Sequence, residues 1–452
     1  MLVKNKRVLV AGTGKSGIAA TKLLIEKGFK VALYDDNKAI ENDKLTELFG
    51  ENADVKMFVG EVDEDILAQS EVLVISPGIP TDAPSINGFR DKGIKIIGEI
   101  ELAYIFEKGN VVAITGTNGK TTTTSLVGEI MKGAVKNVYV TGNIGIPYTE
   151  VVSATDNASC TVLEVSSFQL ETIETFRPKV SAILNITPDH LNRHYTMENY
   201  IKAKFDISLN QNGEDILVLN YEDEILRKMA DNVKAKIVYF SSAHILDEGV
   251  YLENDNIILK LDGEEMLICN IDELNLLGTH SYENVMAAVA MAWYMKVPVE
   301  VIREKVKTFQ SVEHRIEYVC ELDGVKYYND SKGTNPDAAI KGITSMVRPT
   351  YLIGGGYDKC SDFREWVDSF GETVKELVLI GQTANQIAKT CDEAGFTNYV
   401  HMEGLKEAVE YCREKAEPGD AVLLSPACAS WDMFSSYEER GNLFKKYVRK
   451  EA

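Results

Sequence analysis

ITGTNGKTTTTS, residues 114–125, follows the short apolar run Val111–Ile114 and gathers two glycines, a lysine and a row of hydroxyls into one turn. That order, strand then glycine turn then helix, is how backbone N–H groups are brought to curl around phosphate oxygens. The lysine adds a point charge and the next hydroxyl reaches a Mg²⁺ ion. The strict spacing G-x-x-x-x-G-K-[ST] is not met, because Ile114 stands five residues before Gly119. The loop is a shorter variant, Gly116-Thr117-Asn118-Gly119-Lys120-Thr121, with Thr122 next in line.

A second glycine turn lies upstream. Residues 7–36 read as strand, turn, helix and strand, and Gly12-Thr-Gly14-Lys15-Ser16-Gly17 matches G-x-G-x-x-G, with Asp35 about 20 residues on. Two readings stand: a tight turn without ligand, or a nucleotide diphosphate at the helix N-terminus, where free N–H groups and the helix dipole favour anions. Strand-like Val72–Ser76 and Ile94–Ile97 follow, and past Glu107–Asn110 the second phosphate loop begins a new strand and helix. This first domain is small beside a two-lobed nicotinamide enzyme.

At 452 residues the chain calls for about three domains, at roughly 150 residues each. We expect an α/β protein of three domains. Residues 1–105 form a Rossmann-like domain, residues 106–311 a P-loop ATPase-like domain with a mostly parallel sheet, and residues 312–452 a second Rossmann-like domain. Strands alternate with helical stretches through both later segments, and in such open sheets ligands gather at the carboxyl ends of the strands.

Composition narrows the function classes. The apolar fraction of 45% and charged fraction of 26% are ordinary for a globular protein, and no apolar run is long enough to span a bilayer. Seven cysteines without a C-x-x-C pair argue against a disulfide framework or a zinc ribbon and fit a reducing cytoplasm. A net charge of −21 argues against nucleic-acid binding.

Three further motifs sit where chemistry is expected. Glu164 ends a strand before Ser166-Ser167; it is either an ordinary strand-end carboxylate or a Mg²⁺ ligand shared with Thr121. Asp189-His190 follows the strand Val180–Asn185, and the histidine is either structural or a ligand. Asn329-Asp330-Ser-Lys-Gly-Thr334-Asn335 is either a polar turn or a nucleotide or carboxylate contact.

Together with Glu313-His-Arg315, Leu424-Ser-Pro-Ala-Cys-Ala-Ser430 and Tyr437-Glu-Glu-Arg-Gly441, these motifs resemble the Mur ligase family over almost the whole chain and in family order. The resemblance implies ATP-dependent addition of D-glutamate to UDP-N-acetylmuramoyl-L-alanine through an acyl phosphate, a cytoplasmic step of peptidoglycan precursor synthesis; a monomer is the default expectation, since the sequence does not give the oligomeric state.

It also implies roles. Gly116, Thr117, Asn118, Gly119, Lys120, Thr121 and Thr122, with Asn284, Arg315 and Asp330, would serve ATP. Gly14, Lys15, Ser16 and Asp35 would hold the UDP part, and Asn143, Ser166 and His190 the muramoyl part. Thr334, Lys359, Ser430 and Tyr437 would contact D-glutamate. Two Mg²⁺ ions, with Mn²⁺ as an alternative, would be held by Thr121, Glu164, His190 and a carbamylated Lys204. Lys202 is the alternative two residues away, and a surface lysine paired with Glu198 or Asp206 is the plain reading of Lys204.

Two positions depart from the family pattern: Ser281, where asparagine is frequent, and Asn192, where aspartate is common. A folylpolyglutamate-type ligase, an NAD-dependent oxidoreductase and an inactive nucleotide-binding scaffold are the rival readings. They are disfavoured respectively by the Gly12–Gly17 domain, by the absence of accompanying redox residues, and by the presence of Lys120, Glu164 and His190.

Overall fold

The computed structural model describes residues 6–40, 49, 55–310, 313–357 and 361–450. These residues build three mostly parallel α/β sheets. The chain divides into two compact units, residues 1–268 with 283–306, and residues 269–282 with 307–452.

The first sheet holds β1 (Arg7–Ala11), β2 (Lys30–Asp35), β3 (Val55–Val59), β4 (Ser70–Ile75) and β5 (Lys95–Gly98), in the order β3-β2-β1-β4-β5. All its pairings are parallel. Strand Arg7–Ala11 is buried throughout, as a central strand covered on both faces must be; Arg7 at its start donates to the Val31 carbonyl and the rest is apolar. The order reverses between β1 and β4, which puts the Gly12–Gly17 turn beside Ser76; the Ser76 hydroxyl donates to the Ala11 carbonyl at 3.0 Å. A Cβ at Gly17 would lie 1.8 Å from the Gly12 carbonyl oxygen, so the close approach of helix Lys15–Glu26 to its own turn requires glycine there.

The second sheet runs β6 (Asn110–Thr115), β7 (Val138–Gly142), β8 (Cys160–Glu164), β9 (Val180–Ile183), β10 (Ile216–Asn220), β11 (Lys236–Ser241), β12 (Gly249–Glu253), β13 (Asn256–Leu261) and β14 (Glu264–Asn270), ordered β14-β13-β12-β11-β10-β9-β6-β8-β7. Strand β6 is flanked by β8 on one side and β9 on the other, all parallel. Whatever follows β6, β8 and β9 in the chain therefore emerges at one sheet end.

The far end of this sheet departs from the sequence reading. Strands β12 and β13 pair antiparallel through Asn254-Asp255, both at positive φ (48° and 61°), and Asp262-Gly263 (54° and 83°) makes a similar turn into β14. Two-residue turns of this kind match the twist of hairpin strands and favour Asn, Asp and Gly. The signal was present in the sequence as Asn-Asp-Asn and Asp-Gly between apolar runs.

Helix Glu99–Tyr104 and the segment after it join the first two sheets with three glutamates. Glu99 accepts from Thr149 N and Oγ1 at 2.7 and 2.9 Å. Glu101 accepts from the backbone N–H groups of Glu174, Thr175 and Phe176 and from the Thr175 hydroxyl. Glu107 accepts from Tyr148 Oη and Thr161 Oγ1 at 2.7 and 2.8 Å. Leu102, Tyr148 and Phe176 share one buried apolar cluster with Val8 and Val10 of β1 and Val111 and Ala113 of β6.

The third sheet, in the other unit, comprises β15 (Glu317–Leu322), β16 (Val325–Asn329), β17 (Thr350–Gly354), β18 (Val374–Leu379), β19 (Tyr399–His401) and β20 (Ala421–Leu424), in the order β15-β16-β20-β17-β18-β19. Among the described strands of this sheet only the β15–β16 hairpin, turned by Asp323-Gly324, is antiparallel. Among the described residues no helix is long and apolar enough to cross a membrane.

Candidate functional site

The phosphate loop leaves β6 and enters helix Lys120–Lys132 with Gly119 as its N-cap. Gly116 and Gly119 take φ of 152° and 82°, and a Cβ at Gly119 would stand 2.2 Å from Asn284 Oδ1. Both glycines are thus required by backbone conformation, and the second also by packing. Asn284 Oδ1 accepts from the Thr123 hydroxyl at 3.2 Å.

The loop is held from the side by the segment after β9. Asn118 N donates to Asn185 Oδ1 at 2.8 Å, Asn185 Nδ2 returns a bond to the Asn118 carbonyl at 3.2 Å, and Thr117 N reaches the Asn185 carbonyl at 2.9 Å. Thr117 Oγ1 lies 3.0 Å from Tyr200 Oη. Lys120 Nζ donates to the carbonyls of Gly116 and Thr117, both at 2.8 Å. Thr121 and Thr122 are half-buried at the start of the helix.

Glu164 closes β8 next to this loop. It is 2% exposed; Oε1 accepts from Asn143 Nδ2 at 2.8 Å, while Oε2 is buried without a hydrogen-bond partner. A buried carboxylate oxygen lacking a donor is a position that a cation satisfies. Gly142, at φ 108°, brings Asn143 to the end of β8, where a Cβ would meet the Glu164 carbonyl oxygen at 2.3 Å. Ser166 caps the short helix Ser167–Leu170 in a reciprocal capping box with Gln169. Among the described residues no group of three or more His, Cys, Asp and Glu side chains is gathered for a metal. Mg²⁺ fits such a sparse donor set, since it keeps waters and phosphate oxygens and takes one or two carboxylates.

Lys204 lies on helix Met197–Phe205 and is 2% exposed. Its Nζ donates to the Gly116 carbonyl at 2.8 Å and sits 4.6 Å from the Tyr200 ring centroid. Burial, and then the charge of Lys120, bring its amine down to about 7. Lys202 is exposed and pairs with Asp206 at 2.8 Å, so the surface pairing foreseen for this helix belongs to Lys202.

His190 begins helix Leu191–His194 at φ 52°, half-exposed, with its ring 4.9 Å from that of Phe168. Its neighbour His194 escaped the sequence reading. That ring is buried, 2.9 Å from Ser167 Oγ and 3.3 Å from a Glu171 oxygen, and it lies against Phe168 and Tyr200. Burial lowers its pKa. Its place at the end of the short polar stretch that follows Asp189-His190 was the available signal.

In the first sheet Gly14 and Lys15 are exposed and Ser16 is half-buried at the helix N-terminus. The Asp35 carboxylate accepts from Thr13 N and Oγ1 at 2.9 and 2.8 Å and from Asn37 N at 3.0 Å.

In the third sheet Asp330 follows β16. It is buried, accepts from Ser425 Oγ at 2.7 Å, and burial raises its carboxyl to about 7. Thr334 is half-buried, Arg315 exposed, Ser430 buried, and Tyr437 half-buried with its ring 5.9 Å from His314. Lys359 lies outside the described residues. Arg440 belongs to the Tyr437–Gly441 motif. It is fully buried and its guanidinium donates to the Ser331 hydroxyl and carbonyl and to the Cys428 and Ala429 carbonyls at 2.8–3.3 Å. It therefore joins the 329–335 turn to the turn after β20.

Three family models match: Mur ligase MurD-like, N-terminal domain, over residues 6–98; Mur ligase middle domain, over 114–292; and Mur ligase, glutamate ligase domain, over 314–428. A UDP-N-acetylmuramoylalanine–D-glutamate ligase of Lachnoclostridium phytofermentans is 53% identical over 98% of each chain. One of Lachnospira eligens is 51% identical over 99% of each. A solved structure of MurF ligase from Thermotoga maritima in complex with ADP has a TM-score of 0.57 at 17% identity, covering 100% of this chain and 96% of that one, a likeness of fold.

Proposed function

This chain belongs to the Mur ligase family, and from that premise we propose that it joins D-glutamate to UDP-N-acetylmuramoyl-L-alanine at the expense of ATP, a step of peptidoglycan precursor synthesis. The observation that carries the reading is the convergence, at the ends of β6, β8 and β9, of the phosphate loop, a buried carboxylate with one unpartnered oxygen, and the amine of Lys204.

In this reading the substrate carboxylate attacks the γ-phosphorus of ATP, the bond to ADP breaks, and an acyl phosphate forms. The D-glutamate amine then attacks the acyl carbon, phosphate departs, and the amine proton is lost. A free carboxylate would have to expel oxide; phosphate leaves readily. The protein's part is positioning and charge neutralisation. Residues 116–122 cradle the phosphates and Lys120 moves from its loop carbonyls onto the β- and γ-phosphates. Asn284, Arg315 and Asp330 serve the rest of ATP. Gly14, Lys15, Ser16 and Asp35 hold the UDP part; Asn143, Ser166 and His190 the muramoyl part; Thr334, Lys359, Ser430 and Tyr437 the amino acid.

Thr121 and Glu164 would hold one Mg²⁺, and His190 with Lys204 as its carbamate a second. When bound, the metal supplies positive charge to the phosphoryl oxygens. Carbon dioxide adds only to a neutral amine, and the depressed pKa of Lys204 supports that modification. Domain roles follow: residues 1–105 for UDP, 106–311 for ATP and 312–452 for glutamate, in a cytoplasmic monomer.

The test is phosphate release with ATP, Mg²⁺, UDP-N-acetylmuramoyl-L-alanine and a panel of amino acids. Turnover with D-glutamate alone is the expected result; preference for L-lysine or diaminopimelate would overturn it.

A further inference from the structure

The four-residue helix Leu191–His194, capped by His190, has a strained residue at each end. His190 takes φ 52°, and Tyr195 takes φ 67° with ψ −42°. Because Thr196 N donates to the His194 carbonyl at 2.8 Å, Tyr195 is the centre of a γ-turn of the rare, strained hand. A tyrosine keeps such torsions only where its surroundings over-determine them. Its ring is 67% exposed, so the restraint comes less from packing than from the hydroxyl, which donates to Asp82 Oδ2 at 2.6 Å.

Arg193 reaches toward the same neighbour. Its Nη2 donates to the Ile79 carbonyl at 3.1 Å and to Glu171 Oε2 at 2.7 Å, and the guanidinium carbon lies 5.0 Å from the centre of the Phe168 ring. Residues 79–82 follow β4 of the first sheet, Phe168 and Glu171 follow β8 of the second, and Arg193 follows β9. One side chain, 11% exposed, therefore ties three segments drawn from two sheets. Each end of the tie leads to a residue of the site. Phe168 packs on the His190 ring at 4.9 Å. Ile79 N donates to the Ser76 carbonyl at 3.0 Å, and Ile79 Cδ1 would stand 3.3 Å from a Cβ at Gly12, so its turn packs on the Gly12–Gly17 turn.

We infer that Arg193 is a positioning residue for the UDP-linked substrate: it sets the span from the Gly12–Gly17 turn to His190, with the Tyr195–Asp82 bond as a second tie. The inference rests on the ligase reading above. The diphosphate and the reacting carboxylate lie at opposite ends of one long molecule, so an error in that span is passed to the approach of the carboxylate to the γ-phosphorus. A misplacement of about 1 Å costs about a hundredfold in rate. Arginine suits the task, because its planar guanidinium makes both bonds and the ring contact with its geometry fixed, whereas an ammonium is a rotatable point charge.

Calorimetry and steady-state kinetics on the full-length protein test the assignment. UDP alone occupies one end of the span and the full substrate both. In Arg193→Ala, affinity for UDP and KM for ATP stay within about twofold, affinity for UDP-N-acetylmuramoyl-L-alanine falls about tenfold, and kcat falls about tenfold or more. Arg193→Lys recovers about half of that loss or less. Tyr195→Phe deletes one hydroxyl from an exposed ring and leaves the fold intact; it weakens the full substrate about threefold, as does Asp82→Ala, and the double variant is no weaker than either. Equal losses for UDP and for the full substrate in Arg193→Ala would make the residue a structural support and overturn the inference, as would unchanged affinity for the full substrate. If Arg193→Ala does not fold, Tyr195→Phe decides, and unaltered affinity for the full substrate in that variant would overturn the inference. Absence of D-glutamate turnover by the unaltered protein, with these affinities as stated, would overturn the ligase reading alone.

Discussion

Lys120 and Lys204 donate to one and the same acceptor, the Gly116 carbonyl, each at 2.8 Å. Two ammonium groups on one oxygen repel, and the buried one yields: Lys204 is brought down to about 7, first by burial and then by Lys120. A lysine so held is a neutral amine through much of the range above that value, as carbamylation requires. With ¹³C-bicarbonate the protein should show a carbamate carbonyl resonance that is absent from Lys204→Ala and present in Lys202→Ala. Activity of Lys204→Ala should fall by about a hundredfold or more and return in part with short-chain carboxylates. Full activity in that variant would remove Lys204 from the mechanism.

The orphaned Oε2 of Glu164 gives a second prediction. Glu164→Gln keeps an acceptor for Asn143 but loses the negative charge. Half-saturating Mg²⁺ should rise about tenfold or more while thermal stability stays close to that of the unaltered protein. A Mg²⁺ dependence identical to that of the unaltered protein would exclude the carboxylate as a metal ligand.

Gly119→Ala should abolish ATP binding. The added methyl meets Asn284 Oδ1 at 2.2 Å, on a residue whose φ of 82° already disfavours alanine. Binding of the UDP substrate, followed by calorimetry, should persist, because the Gly12–Gly17 turn belongs to a different sheet. Loss of both affinities would mean that the substitution unfolds the unit instead.

Glu101 satisfies three backbone N–H groups and one hydroxyl of residues 174–176. Glu101→Ala strands those donors and should cost about 3 kcal/mol or more, whereas Glu101→Gln, retaining one acceptor oxygen, should cost less. Thermal unfolding of the three proteins decides it; equal midpoints would show that water replaces the carboxylate.

Asp330 makes stability depend on pH. Its carboxyl rises from 3.8 to about 7 on folding, so between those values the native state binds more protons than the unfolded one. Its contribution is present below about pH 4 and lost as pH climbs through 7. Asp330→Asn removes this dependence, so the variant's unfolding midpoint should gain on that of the unaltered protein from pH 4 to 7.5 and run parallel above. A constant difference across the range would refute the burial-driven shift.

The chain's local patterns were sufficient for much of this. Glycines at 116 and 119 mark a turn that only their torsions permit, and alternation of apolar runs with helical stretches announces parallel sheets. The Mur ligase motifs marked the phosphate loop, Glu164, His190 and the 329–335 turn. Two things remained for the tertiary structure. One was the antiparallel hairpins at Asn254-Asp255, Asp262-Gly263 and Asp323-Gly324, whose turn signals were present but lay inside segments read for parallel alternation. The other was environment. His194, Arg440 and Lys204 are ordinary polar letters in the sequence, and it is burial, with hydrogen-bond partners drawn from other elements of the chain, that fixes their hydrogen bonds and lowers their pKa values. Dielectric surroundings are a property of packing, and packing belongs to residues distant in the chain. Sequence therefore determined which groups were present and on which elements, and only the fold decided which of them were buried, charged and in contact.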